Sequence, residues 1–214
     1  MKLINLSIAA VVTGLCVTSV NAATVIVTNV QSGTGDTIYT NANGTLLDGG
    51  IVTIGHFSES FDVTANLGNI PTLVADFTVL TSALAGSASA SLVGSFPGFV
   101  EQSATTDLGA ITDPNALIGR GLYSFIGSAG TLATSLEVGL LFLQNIVDDN
   151  PVSNDYNSNP NGLTPLIGST GSYTGNASGL GNATHATVQL GAVPEPSTLL
   201  LSALGVLALL RRKR

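Results

Sequence analysis

Near its start the chain contains the run Ala23-Thr24-Val25-Ile26-Val27-Thr28-Asn29-Val30. Most of these side chains are β-branched, and such side chains pack well on the pleated surface of an extended backbone. The run therefore predicts a strand, and Gly33-Thr34-Gly35-Asp36 after it predicts a turn. A second short strand is expected at Thr37–Thr40.

Similar runs between turn signals continue along the chain. Asn41-Ala42-Asn43-Gly44-Thr45 predicts a turn, because Asn and Gly both tolerate positive φ. Residues 135–142 form an apolar run that is too short for its period to distinguish helix from strand. The further strands that the sequence predicts are Ile51–Phe57, Leu122–Ile126 and Ala186–Leu190.

One amphipathic helix is predicted after residue 69. Asn69 can cap it, and Pro71 falls in its first turn, where the missing N–H costs little. The apolar residues that recur at helical spacing are Leu73, Phe77, Leu80 and Leu84. We expect this helix to pack its apolar stripe on a sheet and to end at the Gly/Ser/Ala stretch 86–91.

These elements define the expected fold class. The chain is mainly β: one β-rich, sandwich-like domain over residues 23–192 with one amphipathic helix, a length that suits a single domain. The segments 148–162 and 168–181 are rich in Asn, Pro or Gly and predict flexible loops. Two apolar segments flank the domain, a signal helix within residues 1–22 and a transmembrane helix within residues 193–214.

The N-terminal segment has the order of a secretory signal peptide. Met1-Lys2 supplies one positive charge, an apolar stretch follows over residues 3–20, and Val20-Asn21-Ala22 places small residues around a cleavage site. We therefore expect export through the Sec machinery and cleavage after Ala22 by signal peptidase. Cys16 would leave with this segment, so the exported part would use neither disulfides nor thiolate metal sites.

The last 22 residues have three parts in a fixed order. In Val193-Pro194-Glu195-Pro196-Ser197 the prolines fix φ and withhold N–H donors, so the segment is extended and accessible to a peptidase. An uncharged apolar run follows from Thr198 to Leu210. A helix from Val193 to Leu210 would be roughly 27 Å long, slightly short of a hydrocarbon core of about 30 Å. The basic residues Arg211, Arg212, Lys213 and Arg214 come last and are expected on the cytoplasmic side.

This tail resembles the PEP-CTERM sorting signal of Gram-negative bacteria. Residues 193–197, the Leu-rich helix and the Arg cluster stand where the family has them, although no Trp follows Ser197. The resemblance implies that exosortase, a membrane peptidase thought to cut near the motif, releases or re-anchors the product. The alternative is an ordinary membrane anchor that nothing processes. The resemblance covers about a tenth of the chain and indicates where the protein goes, not what it does.

The exported part is strongly acidic. It contains twelve of the 13 acidic residues and a single basic residue, Arg120, so its net charge is about −11. Such a surface repels phosphate backbones, which argues against nucleic acid as a partner. Cations or neutral polysaccharides are better-suited partners. Arg120 lies between Gly119 and Gly121, where it either pairs with a buried acid or is a loop charge, and we favour the second.

No arrangement of residues in the sequence predicts catalysis. Nucleophilic hydrolysis needs a base beside the nucleophile, and the chain has only His56 and His185 and no Gly-x-Ser-x-Gly elbow. We interpret both histidines as solvent-facing. Glycoside hydrolysis needs two opposed carboxylates, and no pair of acids is distinguished by its spacing. The sequence therefore predicts no enzyme, no catalytic residue and no cofactor.

Calcium is the metal that the sequence brings into question. The run from Asp155 to Gly162 mimics the start of an EF-hand loop, but its sixth and twelfth positions are Pro160 and Leu166 instead of Gly and Glu. Turn-forming residues in an exposed loop explain the run without a metal. We therefore predict no metal ligand.

The function predicted from sequence is that of an exported cell-surface or extracellular-matrix protein. It would be anchored in the membrane transiently and then reside at the cell surface or outside the cell, with exopolysaccharide as a further contact. The alternative is a carbohydrate- or calcium-binding surface module, and a hydrolase is less favoured.

Overall fold

The computed structural model describes residues 24–29, 37–86, 88–89, 94–107, 117–147, 155–176 and 182–194. Within these ranges there is one α-helix, α1 (Ile70–Asp76), with 3-10 turns at Thr64–Asn66 and Leu132–Thr134. The strands are β1 (Thr24–Thr28), β2 (Thr37–Thr40), β3 (Ile51–His56), β4 (Thr78–Leu84), β5 (Ala88–Ser89), β6 (Gly94–Ser95), β7 (Glu101–Asp107), β8 (Gly121–Gly127), β9 (Glu137–Asn145), β10 (Asp155–Asn157), β11 (Ser169–Gly175), β12 (Ala183–Gln189) and β13 (Gly191–Ala192). The prediction of a β-rich fold with one helix is confirmed.

A five-stranded antiparallel sheet lies at the centre, in the order β13-β9-β8-β3-β4. Because successive side chains of a strand point to opposite faces, both faces of this sheet carry apolar residues. Val52 and Ile54 of β3 belong to one buried cluster, whereas Ile51 packs against the other. The sheet is therefore covered on both sides.

The first face is covered by two smaller sheets, with strand orders β10-β1-β7 and β11-β12-β2. Val25 and Val27 of β1 and Val188 of β12 share one cluster with residues of β3, β8 and β9. All three valines are at most 1 % exposed. This cluster is the main core, and it lies between layers of sheet.

The second face is covered by α1 and the loop before it. Asn69 caps the helix, since its Oδ1 accepts from the Thr72 N–H at 3.3 Å. Ile70 and Leu73 of the helix are buried against the sheet. Their partners in this second cluster are Phe57, Phe77, Phe125, Val138 and Leu140. The predicted cap and the packing of a helix on a sheet are confirmed.

The prediction that the helix continues to the stretch 86–91 is wrong, because α1 ends at Asp76. The backbone becomes extended at Phe77, and residues 78–84 form β4, which pairs with β3. Leu80 then packs on the main core, and Leu84 is 45 % exposed. The apolar residues that predicted one helical stripe are thus shared between a short helix and a strand. The strand forms because pairing with β3 provides hydrogen bonds for its backbone N–H and C=O groups.

Three other predicted segments can be compared with the structure. The segment 148–162, predicted to be a flexible, exposed loop, contains β10 over residues 155–157, with Tyr156 and Ser158 buried, because β10 pairs with β1. Residues 135–142, which could have been helix or strand, are mostly strand β9. The segment 168–181, predicted to be a flexible loop, contains β11 over residues 169–175. β11 pairs with β12 residue by residue in an antiparallel hairpin. Its side chains are mostly exposed, so it has no apolar face for a pattern to reveal.

The two expected apolar helices fall almost wholly outside the described residues. Residues 1–23 and 195–214 are not described, so the signal helix and the transmembrane helix stay predictions. In the part of the chain that is described, no helix has the length and apolar character needed to cross a membrane.

Tyr39 in β2 gives a prediction about alkaline stability. It is fully buried, and its hydroxyl donates to the Ser158 carbonyl oxygen at 3.3 Å. Burial disfavours the phenolate and raises the pKa of Tyr39 well above its usual value of 10. Above pH 10 the folded state therefore keeps this proton, whereas the unfolded state releases it. The stabilisation from Tyr39 is fully present below pH 10 and is lost as the pH rises further.

We expect the free energy of unfolding to fall above pH 10 by up to about 1.4 kcal/mol per pH unit through Tyr39 alone. Tyr39→Phe should lower the free energy of unfolding by about 0.5–1.5 kcal/mol at pH 8. Above about pH 10 its free energy of unfolding should fall less steeply with pH than that of the unmodified chain. Urea unfolding at several pH values measures both effects. Tyr173→Phe, at a partly exposed tyrosine, is the control, and an equal decline in Tyr39→Phe and the unmodified chain would contradict the prediction.

Candidate sorting site at the C-terminal end of the domain

The last residues of the domain are joined to the sheets by a continuous series of backbone hydrogen bonds. Leu190, which follows β12, is buried, and its N–H donates to the Thr40 carbonyl at 2.9 Å. Strand β13 then pairs with β9, with Gly191 opposite Val138 and Ala192 opposite Glu137. The chain therefore reaches the tail as the edge strand of the central sheet.

Among the described residues, Val193 is the last one that donates a backbone hydrogen bond to the sheet. Its N–H donates to the Leu136 carbonyl at 2.8 Å, and its partly buried side chain packs against the cluster beneath α1. Pro194 is exposed and has no N–H to donate. A proline cannot donate to the hydrogen-bond ladder, so Val193 donates the last ladder bond of the described residues.

The turn at residues 41–45 is bonded to the same end of the domain. The predicted turn is present, with the Gly44 N–H donating to the Asn41 carbonyl at 2.9 Å. Ala42 within it donates its N–H to Glu137 Oε2 at 2.7 Å and accepts at its carbonyl from the Gln189 side-chain amide. Glu137 and Gln189 stand immediately beside β13, so this turn clamps the strands from which the tail emerges.

The structure places only part of the predicted site. Val193 and Pro194 lie at the edge of the central sheet, as described above. The remaining predicted site residues, Glu195, Pro196, Ser197, Arg211, Arg212, Lys213, Arg214 and the cleavage residue Ala22, lie outside the described residues.

The predicted exposure of both histidines is wrong. His56 ends β3 and is 7 % exposed, with Nδ1 3.1 Å from the Phe57 carbonyl oxygen. His185 lies inside β12 and is 9 % exposed, edge-on to Phe99 at a centroid distance of 6.0 Å. In the described ranges no group of three or more His, Cys, Asp or Glu residues is placed to hold a metal ion.

Comparison with known proteins identifies the tail. Residues 192–214 match the family model of the PEP-CTERM protein-sorting motif. The chain thus carries this motif, which implies sorting through an exosortase to the cell surface. A search of the curated proteins and a search of the solved structures found no match. The matched region begins at Ala192, the last residue of β13, so the motif starts at the sheet edge with no linker before it.

Proposed function

We propose that the chain is a non-enzymatic cell-surface or extracellular-matrix protein, a sandwich-like acidic β domain delivered by its C-terminal sorting motif. The observation that carries this proposal is the direct joining of the motif to the edge of the central sheet. Backbone up to Val193 is held in the sheet, whereas a peptidase needs an extended substrate that it can surround. The cut therefore falls after Val193, and the product keeps the whole domain.

The proposed route supplies the remaining partners. The segment 1–22 directs the chain to the Sec machinery, and signal peptidase cuts after Ala22. The apolar run of the tail then holds the chain in the membrane transiently, with the basic residues 211–214 on the cytoplasmic side. Exosortase processing ends this stage, and the acidic domain remains at the surface or in the matrix, where exopolysaccharide is its proposed contact.

Removal of residues 195–214 tests the sorting part of the proposal. This deletion leaves Val193 and Pro194 in place, so the last ladder hydrogen bond is kept and the domain stays folded. We expect the unmodified chain to be recovered from the cell surface with its C-terminus after Val193. The deleted chain should be exported but absent from the surface fraction. Intact-mass measurement of envelope and medium fractions reads both results.

A control deletion keeps the motif and removes only Arg211–Arg214, which separates recognition of the motif from retention by the basic residues. A mature surface protein that still ends in Arg214 would show that the tail is an unprocessed anchor. A C-terminus before Val193 would contradict the protection that the sheet is proposed to give.

A second candidate function, a carbohydrate-binding surface module, is favoured by one feature of the domain. This feature is a cavity lined by aromatic side chains and by the domain's single basic residue. It lies on residues 57–63 and 118–123, outside the sorting motif.

A further inference from the structure

A cavity of about 510 Å³ opens between the loop after β3 and the segment that leads into β8. Its lining residues come from two segments, one within residues 57–63 and one within residues 118–123. The two segments are distant in sequence, but β3 and β8 pair with His56 opposite Leu122, which brings their ends together. Cavities of roughly 300–1,000 Å³ are typical of small-molecule sites, and this one would enclose one or two sugar-sized rings.

Aromatic side chains form one wall of the cavity. Phe57 and Phe61 stack with ring centroids 5.2 Å apart and an interplanar angle of 10°. Tyr123 meets Phe57 edge-on at 5.1 Å. Phe57 is 4 % exposed, whereas Phe61 and Tyr123 are partly exposed and line the cavity. The wall is therefore a supported aromatic surface of the kind on which the apolar face of a ring can pack.

Arg120 lines the same cavity, and no described residue is a partner for its charge. Its Nε is buried and makes no hydrogen bond, and its guanidinium forms no ion pair among the described residues. Burying a polar donor without a partner costs free energy, so natural proteins retain such groups rarely. A guanidinium is matched geometrically by a carboxylate, which accepts two parallel N–H bonds.

The backbone around Arg120 is fixed on both sides. The Gly119 N–H donates to the Ile146 carbonyl at 2.7 Å, and the Ile146 N–H donates to the Arg120 carbonyl at 2.8 Å. Gly119 has φ +85°, which favours glycine, and a Cβ on Gly121 would lie 2.8 Å from the Tyr123 ring. Gly119 thus permits the backbone turn before Arg120, and Gly121 leaves room for the Tyr123 ring. Preorganisation of this kind lowers the cost of binding.

We propose that this cavity binds a carboxylated monosaccharide, with the carboxylate on Arg120 and a face of the sugar ring against Phe61 and Tyr123. Exposed Glu59 also lines the cavity and offers an acceptor for ligand hydroxyls, which favours a sugar acid over an aromatic acid. Arg120 is the only Lys or Arg of the acidic domain over residues 23–192, so it marks the place where an anion can bind. The charge of Glu59 opposes an anion there, but Glu59 is exposed and its charge is screened by solvent. This site is independent of the sorting tail, and the failure of either proposal leaves the other standing.

The test is a calorimetric titration of the full chain, purified in a non-ionic detergent at low ionic strength, with glucuronate and with glucose. The two sugars differ at the carboxylate, so glucuronate should bind at least about tenfold more tightly. Arg120→Gln should weaken glucuronate binding about 10- to 100-fold, and Arg120→Lys should weaken it less. Phe61→Ala should weaken both sugars.

Thr164→Asp is the matched control, because it makes the same change in net charge at an exposed residue that does not line the cavity. It should leave the affinity unchanged. Equal binding of the two sugars, or equal glucuronate binding by Arg120→Gln and the unmodified chain, would overturn the proposal. A second pair of ligands is benzoate and its neutral counterpart, benzyl alcohol. A chain that binds benzoate but does not bind glucuronate would also overturn the proposal. If Arg120→Gln does not fold, the comparison of glucuronate with glucose on the unmodified chain decides.

Discussion

Replacing Phe125 by Ala should lower the free energy of unfolding by about 3–5 kcal/mol, the range for an aromatic side chain removed from a packed core. Phe125 lies in β8, in the middle of the central sheet, and is 0 % exposed. It meets Phe77 edge-on at 5.3 Å and faces the helix-side cluster. Its removal would leave a cavity between sheet and helix that neither layer can close. Domains of this size are stable by about 5–15 kcal/mol, so the loss is a large share of the total.

Chemical unfolding followed by circular dichroism measures this loss, with Phe142→Ala as the matched control. Phe142 is on the neighbouring strand β9 but is 39 % exposed, and its edge-on contact with Tyr123 is at 5.4 Å. Its replacement should cost about 1 kcal/mol. If the two variants unfolded at the same denaturant concentration, the helix-side cluster would not be the packed core that the structure describes.

The same variant should also affect the Arg120 cavity. Phe125 contacts Phe77, Phe77 contacts Phe57 at 5.1 Å, and Phe57 supports Tyr123 at the cavity wall. Loss of Phe125 therefore removes a packing contact of Phe77 and, through Phe77 and Phe57, weakens the support of Tyr123. We infer that the core beneath α1 holds the wall in place, so the fold and the proposed site depend on the same residues.

Much of the fold could be predicted from local patterns, and the errors have a common physical cause. β1 and β3 were predictable because their β-branched runs have strand propensity of their own. The segment at 78–84 was assigned to the helix, because its leucines continue the helical spacing although pairing with β3 makes it a strand. The β-branched pair Thr78 and Val79 was the local signal against a helix. Such pairing is set by tertiary contacts that a single segment does not encode.

The two candidate sites, the sorting motif and the cavity lined by Arg120, differ in how well they can be predicted from sequence. The sorting motif is linear, so its prolines, apolar run and basic residues identify it without a structure. The Arg120 cavity is assembled from segments about 60 residues apart by β3–β8 pairing, and no local pattern connects them. Arg120 was interpreted as a loop charge. The signal that could have found it was its position as the only cation of an acidic domain, between two glycines.

Asn29→Ala should destabilise the domain by about 2–4 kcal/mol, because it would remove three buried hydrogen bonds and leave the Val100 N–H without an acceptor. Asn29 is 0 % exposed at the end of β1. Its side-chain amide donates to the carbonyls of Thr37 and Gly98 at 3.1 and 2.8 Å, and its Oδ1 accepts from the Val100 N–H at 2.8 Å. One side chain thus joins β1, β2 and the chain before β7, strands that belong to two different sheets.

Most of the expected loss of stability comes from buried backbone groups that lose a hydrogen-bond partner, and less comes from the hydrogen bonds of Asn29 themselves. After the substitution the Val100 N–H has no acceptor in a dry environment, and the Thr37 carbonyl loses its side-chain donor. Urea unfolding measures the loss, and hydrogen exchange at the Val100 amide should speed up as its acceptor disappears. Asn66→Ala is the control, because the Asn66 side chain donates a single surface hydrogen bond to the Asp62 carbonyl at 2.8 Å and should cost below about 1 kcal/mol. A cost for Asn29→Ala no larger than this control would mean that the two sheets are held together by the apolar core alone.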